Sequence, residues 1–189
     1  MLKNSKLKTA IAVSVVGLGL IAFPGIALAA QDTGITTVNV NVGSQITLTN
    51  GSTTVNINPV LGTTGSAVQA LSVTTNNTTG YQLTIEMNSL NRSLMNGANA
   101  ITASTNPVSP TPTPGALQND TWGFNYGTTS TAATTFMGIP AQGSPFTIAT
   151  SNVTANNVAT YVTFGALPTV SLPSGTYTGS VLYTAVTNP

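Results

Sequence analysis

Side chains that could carry chemistry are scarce in this chain. Past Ala29 the sequence contains no lysine, histidine or cysteine, and its only charged side chains are Asp32, Glu86, Arg92 and Asp120. Most enzyme mechanisms need a titratable acid or base, a nucleophile or a metal ligand. Residues 30–189 therefore cannot form a catalytic triad that contains histidine, and they cannot supply a thiolate nucleophile. The sequence predicts a protein that is not an enzyme and has no catalytic residue.

One pair of carboxylates could act together. A glycoside hydrolase needs two carboxyl groups about 5–10 Å apart, and Glu86 and Asp120 are the candidates. Glu86 lies in an alternating segment, on the face opposite the apolar side chains of residues 81–85, so we expect it to point to solvent. Asp120 follows Asn119 in a turn signal. A carboxylate-dependent hydrolase is one hypothesis, and a solvated strand residue beside a turn-forming residue is the simpler expectation.

Metal and nucleic-acid binding have little basis in the sequence. Zinc and copper lack their usual ligands, and calcium prefers several carboxylates, whereas Asp32 or Asp120 would each stand alone among carbonyl oxygens. Residues 30–189 carry one positive and three negative side chains, a formal charge of −2, with no basic patch. Phosphate-backbone recognition needs clustered cations. We therefore expect no metal, no cofactor and no nucleic-acid partner.

The aromatic cluster Trp122-Gly123-Phe124-Asn125-Tyr126 allows two interpretations. Aromatic rings beside amide side chains suit a carbohydrate-binding face, through stacking and hydrogen bonds, and would make Trp122, Asn125 and Tyr126 the ligand-binding residues. Alternating aromatics on a strand also fill a core, where they bury a large apolar area. Exposure of the rings distinguishes the two.

The first residues have the layout of a secretory signal peptide. Lys3, Lys6 and Lys8 precede an apolar stretch over residues 10–23, which ends at Pro24-Gly25 and is followed by the small-x-small pattern of residues 27–29. The apolar stretch is shorter than the roughly 20 residues of a membrane-spanning helix. We expect residues 1–29 to be cleaved, residues 30–189 to be secreted or associated with the cell surface, and the mature protein to have no membrane span.

Residues 30–189 are predicted to form one all-β domain, an antiparallel β-sandwich of Greek-key, immunoglobulin-like or pilin-like type. Threonine and valine favour strands, while asparagine, glycine and proline mark turns. A proline-rich stretch at 106–115 is expected to be an exposed loop, because proline cannot donate to a central ladder. The predicted strands, mostly with period-2 alternation, are 38–42, 54–57, 68–73, 81–87, 122–126, 161–164 and 177–186.

The segments at the two ends of residues 30–189 could form unprotected edge strands. Soluble proteins protect edge strands with charge or proline, and this chain has almost no charge to use. Residues 31–42 alternate through Val38, Val40 and Val42, and such a segment could complete the sheet of a neighbouring copy. The simpler expectation is that this segment and the last strand pair within their own domain.

The closing segment, Leu172 to Val186, contains Gly175-Thr-Tyr177-Thr-Gly-Ser-Val181. Its Gly-x-Tyr-x-x-x-Val ending resembles the final strand of secreted pilin-like and spore-coat-U-like subunits, and also the end of WxL-type bacterial surface domains. WxL domains have two Trp-x-Leu motifs, whereas Trp122 here is followed by Gly123-Phe124, and the disulfides common in chaperone-assembled pilins are missing. The resemblance implies an exported bacterial surface or appendage protein and assigns no binding residue.

Two function classes follow from these patterns. The first is a secreted, non-enzymatic structural or adhesive β-sandwich at the cell surface, self-associating by strand exchange, with copies of itself, other surface proteins or glycans as partners. The second is a carbohydrate-binding module that uses Trp122 and Tyr126.

Overall fold

The computed structural model describes residues 34–189, in which every regular element is a β-strand. Residues 41–189 form one compact unit, and residues 34–40, which have no regular secondary structure, belong to another. The predicted signal peptide lies outside the described residues. Over residues 34–189, no helix has the length and apolar character to cross a membrane. The strands are β1 (Ile46–Asn50), β2 (Gly65–Thr75), β3 (Tyr81–Met87), β4 (Leu94–Asn96), β5 (Asn99–Ala103), β6 (Thr121–Gly127), β7 (Phe146–Ser151), β8 (Ala155–Leu167) and β9 (Val181–Thr187).

The strands form two sheets. The larger sheet has the order β1-β2-β8-β6-β5-β4, and the smaller has the order β7-β3-β9. All neighbours are antiparallel except β5 and β6, which are parallel, so the prediction of a purely antiparallel arrangement is wrong at this pair. The connection over residues 104–120 explains the exception, because it is long enough for the chain to return in the same direction. The proline-rich stretch lies in this connection and is mostly exposed.

The hydrophobic core is built from the alternating faces that the sequence predicts. In β3 the side chains of Tyr81, Leu83, Ile85 and Met87 are buried, whereas those of the residues between them are half-buried. Full burial of such a side chain contributes roughly 1.5–3 kcal/mol each. Both sheets contribute to one cluster, with members that include Leu71, Val73, Leu83, Ile85, Trp122, Phe124, Ile148, Val162 and Phe164.

A polar link joins the two sheets near the outer end of the core. The Tyr183 hydroxyl of β9 donates to Gln69 Oε1 of β2 at 2.7 Å, and Gln69 Nε2 donates to Asn50 Oδ1 at 2.6 Å and to the Ser52 carbonyl at 2.8 Å. Burial raises the pKa of Tyr183 above that of a free tyrosine. The hydroxyl therefore stays protonated as a donor, and β9 is tied to the strands across the core.

Several predicted strands are confirmed and four were missed. The predicted segments at 68–73, 81–87, 122–126 and 161–164 lie within β2, β3, β6 and β8. The predicted last strand begins at Val181 rather than at Tyr177, because Thr178 is hydrogen-bonded to Met95 instead. The unpredicted strands are β1, β4, β5 and β7, of which β4 and β5 form a hairpin across the Asn96-Gly97 turn.

Two predicted strands are absent from the structure. Val55 and Ile57 pack half-buried against the core, but residues 51–64 belong to no ladder. Residues 38–42 are likewise outside any strand, and Val38, Val40 and Val42 are exposed. The expectation that this segment pairs within its own domain is therefore wrong. Alternation sets which side chains share a face, but a strand also needs a partner backbone.

Candidate functional site

Trp122 is buried in the core. Only 2% of its surface is exposed, and its indole Nε1 donates to the Arg92 carbonyl at 2.9 Å. Its ring centroid lies 6.2 Å from that of Phe164 on the neighbouring strand β8. Because both the ring faces and the polar edge are occupied by protein, Trp122 has no surface to offer a sugar.

Asn125 and Tyr126 lie farther along β6 and are half-buried. They border a shallow depression of about 110 Å³ that Tyr161 and Thr163 also line. Asn125 Nδ2 donates to the Thr135 carbonyl at 2.8 Å, and Asn125 Oδ1 accepts from the Tyr126 N–H at 2.7 Å. The Tyr126 ring packs edge-on against that of Phe146, with centroids 5.7 Å apart. The cluster therefore serves packing first, and the Asn125 amide is already engaged.

Glu86 does more than face solvent. It lies on the predicted side of β3 and is half-buried, and its carboxylate Oε2 accepts the N–H groups of Gly143 at 2.7 Å and Ser144 at 3.2 Å. The expectation of a merely solvated side chain is therefore wrong. The carboxylate fixes the turn that leads into β7, a role that a negative charge performs well with two backbone donors.

Asp120 is held in a second, separate hydrogen-bond network. Its backbone has a φ of 56°, in the left-handed region, as suits a turn residue before β6. Its Oδ1 accepts from the Thr169 N–H at 2.7 Å, its Oδ2 accepts from the Ser171 hydroxyl, and the Thr169 hydroxyl lies 2.9 Å from both oxygens. The hydrogen bond from the Ser171 side chain is the main cause that lowers the Asp120 pKa, with Thr169 adding to it.

The Asp120 network should make stability depend on acidity. A carboxyl with a lowered folded-state pKa contributes stability above its unfolded pKa, about 3.9, and this contribution is lost as the pH falls through the folded value. Asp120→Asn is therefore expected to unfold at a lower urea concentration than the wild type at pH 7. The difference should shrink towards pH 2, as measured by urea titrations across that range. A constant difference at all pH values would contradict this role.

The two carboxylates are not brought together as a reaction centre. Glu86 belongs to the smaller sheet and bonds the turn at 143–144, whereas Asp120 precedes a strand of the larger sheet and bonds residues 169 and 171. Asp32, the third acid, lies outside the described residues. Over residues 34–189, no three acidic, histidine or cysteine side chains gather where they could hold a metal ion.

An open groove of about 560 Å³ lies beside the proline-rich stretch. Arg92 lines it together with residues 103–109 and 138–140. Two of its polar side chains are already engaged, since Ser104 Oγ donates to Gln118 Oε1 and Asn106 Nδ2 donates to the Phe136 carbonyl. In the described part of the chain, no acid, histidine or cysteine lines the groove, so it presents one cation without an accompanying base.

The N-terminal segment is the least expected feature of the described chain. Val38, Val40 and Val42 are 78%, 79% and 79% exposed, and Ile35 is exposed as well. An isolated apolar side chain at a surface is ordinary, but three on one side of an alternating segment form a stripe that a neighbouring sheet could bury. Residues 34–45 contain no charged side chain that would discourage pairing.

The compact unit holds the chain just after this segment. Asn76 Nδ2 donates to the Gly43 carbonyl at 2.9 Å, and the Gln45 N–H donates to Asn76 Oδ1 at 2.7 Å. The Thr75 hydroxyl also donates to the Gln45 carbonyl at 2.6 Å. These bonds anchor residues 43–45 beside the end of β2, immediately after the apolar stripe ends.

A comparison with protein-family models, with curated proteins and with solved structures found no match for this chain.

Proposed function

We propose that this chain is an exported, non-enzymatic structural subunit that associates with further copies of itself at the cell surface by exchanging a strand. Its two sheets pack as one β-sandwich, and residues 35–42 form the strand that is given to a neighbour. Export is supported by the signal-peptide pattern of residues 1–29. A non-catalytic role is supported by the scarcity of ionisable groups and by the use of Glu86 and Asp120 within local turns.

One observation carries the proposal: an alternating apolar segment of strand character lies outside every ladder of the described residues, with its valines exposed. β-Augmentation, in which a segment adds to the edge of another sheet, satisfies the segment's backbone and buries alternate side chains. The carbohydrate-binding alternative has weaker support, because Trp122 is buried and Asn125 is engaged by the protein.

The test compares the two faces of the segment. The triple variant Val38→Asn, Val40→Asn and Val42→Asn removes the apolar stripe, and the control variant Thr37→Ser, Asn39→Ser and Asn41→Ser alters the opposite face. Mass is measured by size-exclusion chromatography with light scattering over a concentration series. We expect the wild type and the control to associate and the triple variant to remain monomeric with an unchanged circular dichroism spectrum. Equal association of all three would contradict strand donation by these residues.

A further inference from the structure

Residues 34–189 include four edge strands, and the structure distinguishes between them as acceptors. We propose that the free edge of β9 pairs with residues 35–42 of a second copy. Val38, Val40 and Val42 of that copy then lie over the part of the core between β9 and β1 that is only partly covered. This assignment rests on the proposed function and adds the surface at which the copies join.

The hydrogen-bonding groups of β9 point in the right direction. Among the described residues β9 has one neighbouring strand, β3. The Asn88 N–H donates to the Ser180 carbonyl at 2.9 Å, and the Asn188 N–H donates to the Gly80 carbonyl at 3.1 Å. Hydrogen-bonded pairs alternate along an antiparallel ladder. The even-numbered residues of β9 therefore face β3, and the backbone groups of Val181, Tyr183, Ala185 and Thr187 point to the open edge.

The core is incompletely covered beside this edge. The core-facing side chains at its centre, such as Leu83 and Ile85, are fully buried. The core-facing residues of β1 and β9 are only half-buried, although they pack against the same cluster: Ile46, Leu48, Val181, Tyr183 and Ala185. β1 and β9 approach each other where the two sheets end. A three-stranded sheet lies over a six-stranded one, so a fourth strand beside β9 would extend the cover over β1.

The N-terminal segment matches the open edge of β9 in length and in its pattern of apolar side chains. Residues 35–42 number eight, against seven in β9, so the two can pair along their whole lengths. Side chains that lie opposite each other on neighbouring strands share a face. The valines at 38, 40 and 42 would therefore lie beside the core-facing residues of β9, and Thr37, Asn39 and Asn41 would face solvent. Neither partner carries a charge.

The other edges are poorer acceptors. Met95 in the three-residue strand β4 already exchanges two backbone hydrogen bonds with Thr178, at 2.8 and 3.0 Å. β7 carries a bulge, since Leu83 pairs with Ala149 whereas Thr84 pairs with Thr147, and a bulge bends a strand away from flat pairing. A strand added to β1 would widen the larger sheet and would leave more of its inner face uncovered.

Site-specific crosslinking between two populations of the chain tests the assignment. The sequence has no cysteine, so each introduced thiol is unique. Copies with Asn39→Cys are mixed with differently sized, tagged copies that carry Thr184→Cys on the outer face of β9. Matched controls carry Thr150→Cys on β7 or Thr47→Cys on β1, which are exposed like Thr184. A short bismaleimide spans neighbouring positions on adjacent strands, and mass spectrometry identifies the joined peptides.

We expect several-fold more crosslinked product between copies with Thr184→Cys than with either control. If association persists but crosslinking is strongest at residue 150 or 47, the β9 assignment is overturned and self-association stands. If light scattering shows only monomers before the crosslinker is added, self-association itself fails. A further variant carries Asn39→Cys and Thr184→Cys in one chain. If it crosslinks internally as a monomer, the segment closes its own sheet, and both proposals are overturned.

Discussion

A self-complemented form of this protein is expected to be monomeric and more stable than the chain without its N-terminal segment. The variant begins at Gly43 and carries residues 34–42 behind Pro189, joined by a short Asn-Gly linker that allows a tight hairpin with β9. The added segment can then occupy the free edge of β9 in the same molecule. The free energy of unfolding should rise by about 2 kcal/mol relative to the truncated chain, because valine burial and new hydrogen bonds outweigh the cost of ordering the segment.

The control for this variant carries the same added segment with asparagine in place of Val38, Val40 and Val42. Urea unfolding should give it the stability of the truncated chain, since the hydrogen-bonding backbone is present but the apolar stripe is missing. A stabilisation equal to that of the unaltered segment would show that the valines do not cover the core, and would contradict the placement beside β9.

Phe136→Ala is expected to give the largest loss of stability of any single substitution considered. Phe136 is fully buried, although it is not part of the main core cluster. Its ring lies against Gly165, which is paired with Gly123 on the neighbouring strand, so the two glycines leave a slot in the sheet for the ring. Removal of a buried phenylalanine side chain costs about 3–5 kcal/mol. Urea unfolding monitored by tryptophan fluorescence measures this loss.

A glycine pair provides the matched test of the slot. A Cβ at Gly165 would overlap the Phe136 ring, whereas a Cβ at Gly127, in the paired strand β6, would meet no atom within 4 Å. Gly165→Ala is therefore expected to cost about 1–3 kcal/mol through overpacking, and Gly127→Ala is expected to leave stability nearly unchanged. Similar effects of the two substitutions would contradict the proposed packing of Phe136.

The sequence predicts β3 well but missed β1, although Ile46 and Leu48 alternate with threonines there and the partner strand β2 lies within the chain. β3 coincides with the predicted segment 81–87, because its side chains face the core at every second residue. Phe136–Pro140 could not be found in this way, since five consecutive buried residues have no period of two. The parallel pairing of β5 with β6 could not be predicted from the sequence either, because it depends on the path of the long connection between the two strands.

For the candidate functional residues, too, the local sequence pattern predicts the strand or turn but not the surroundings of the side chain. The spacing of Trp122, Phe124 and Tyr126 correctly predicts a shared strand, but spacing does not distinguish a buried face from an exposed one. Glu86 and Asp120 were correctly placed on a strand and in a turn, yet the loops that donate to them, at 143–144 and 169–171, are far away in the sequence. The stripe of residues 38–42 has the pattern of a paired strand. A side-chain pattern does not specify, however, whether that strand joins a sheet of its own chain or of another copy.

The most direct test is negative-stain microscopy, with light scattering, on residues 30–189 purified from secreting cells. Strand exchange predicts linear assemblies or oligomers for the intact chain, and their loss when residues 30–42 are deleted although the remainder stays folded. A folded monomer at every concentration, with or without those residues, would contradict the proposal that this protein is a strand-donating structural subunit.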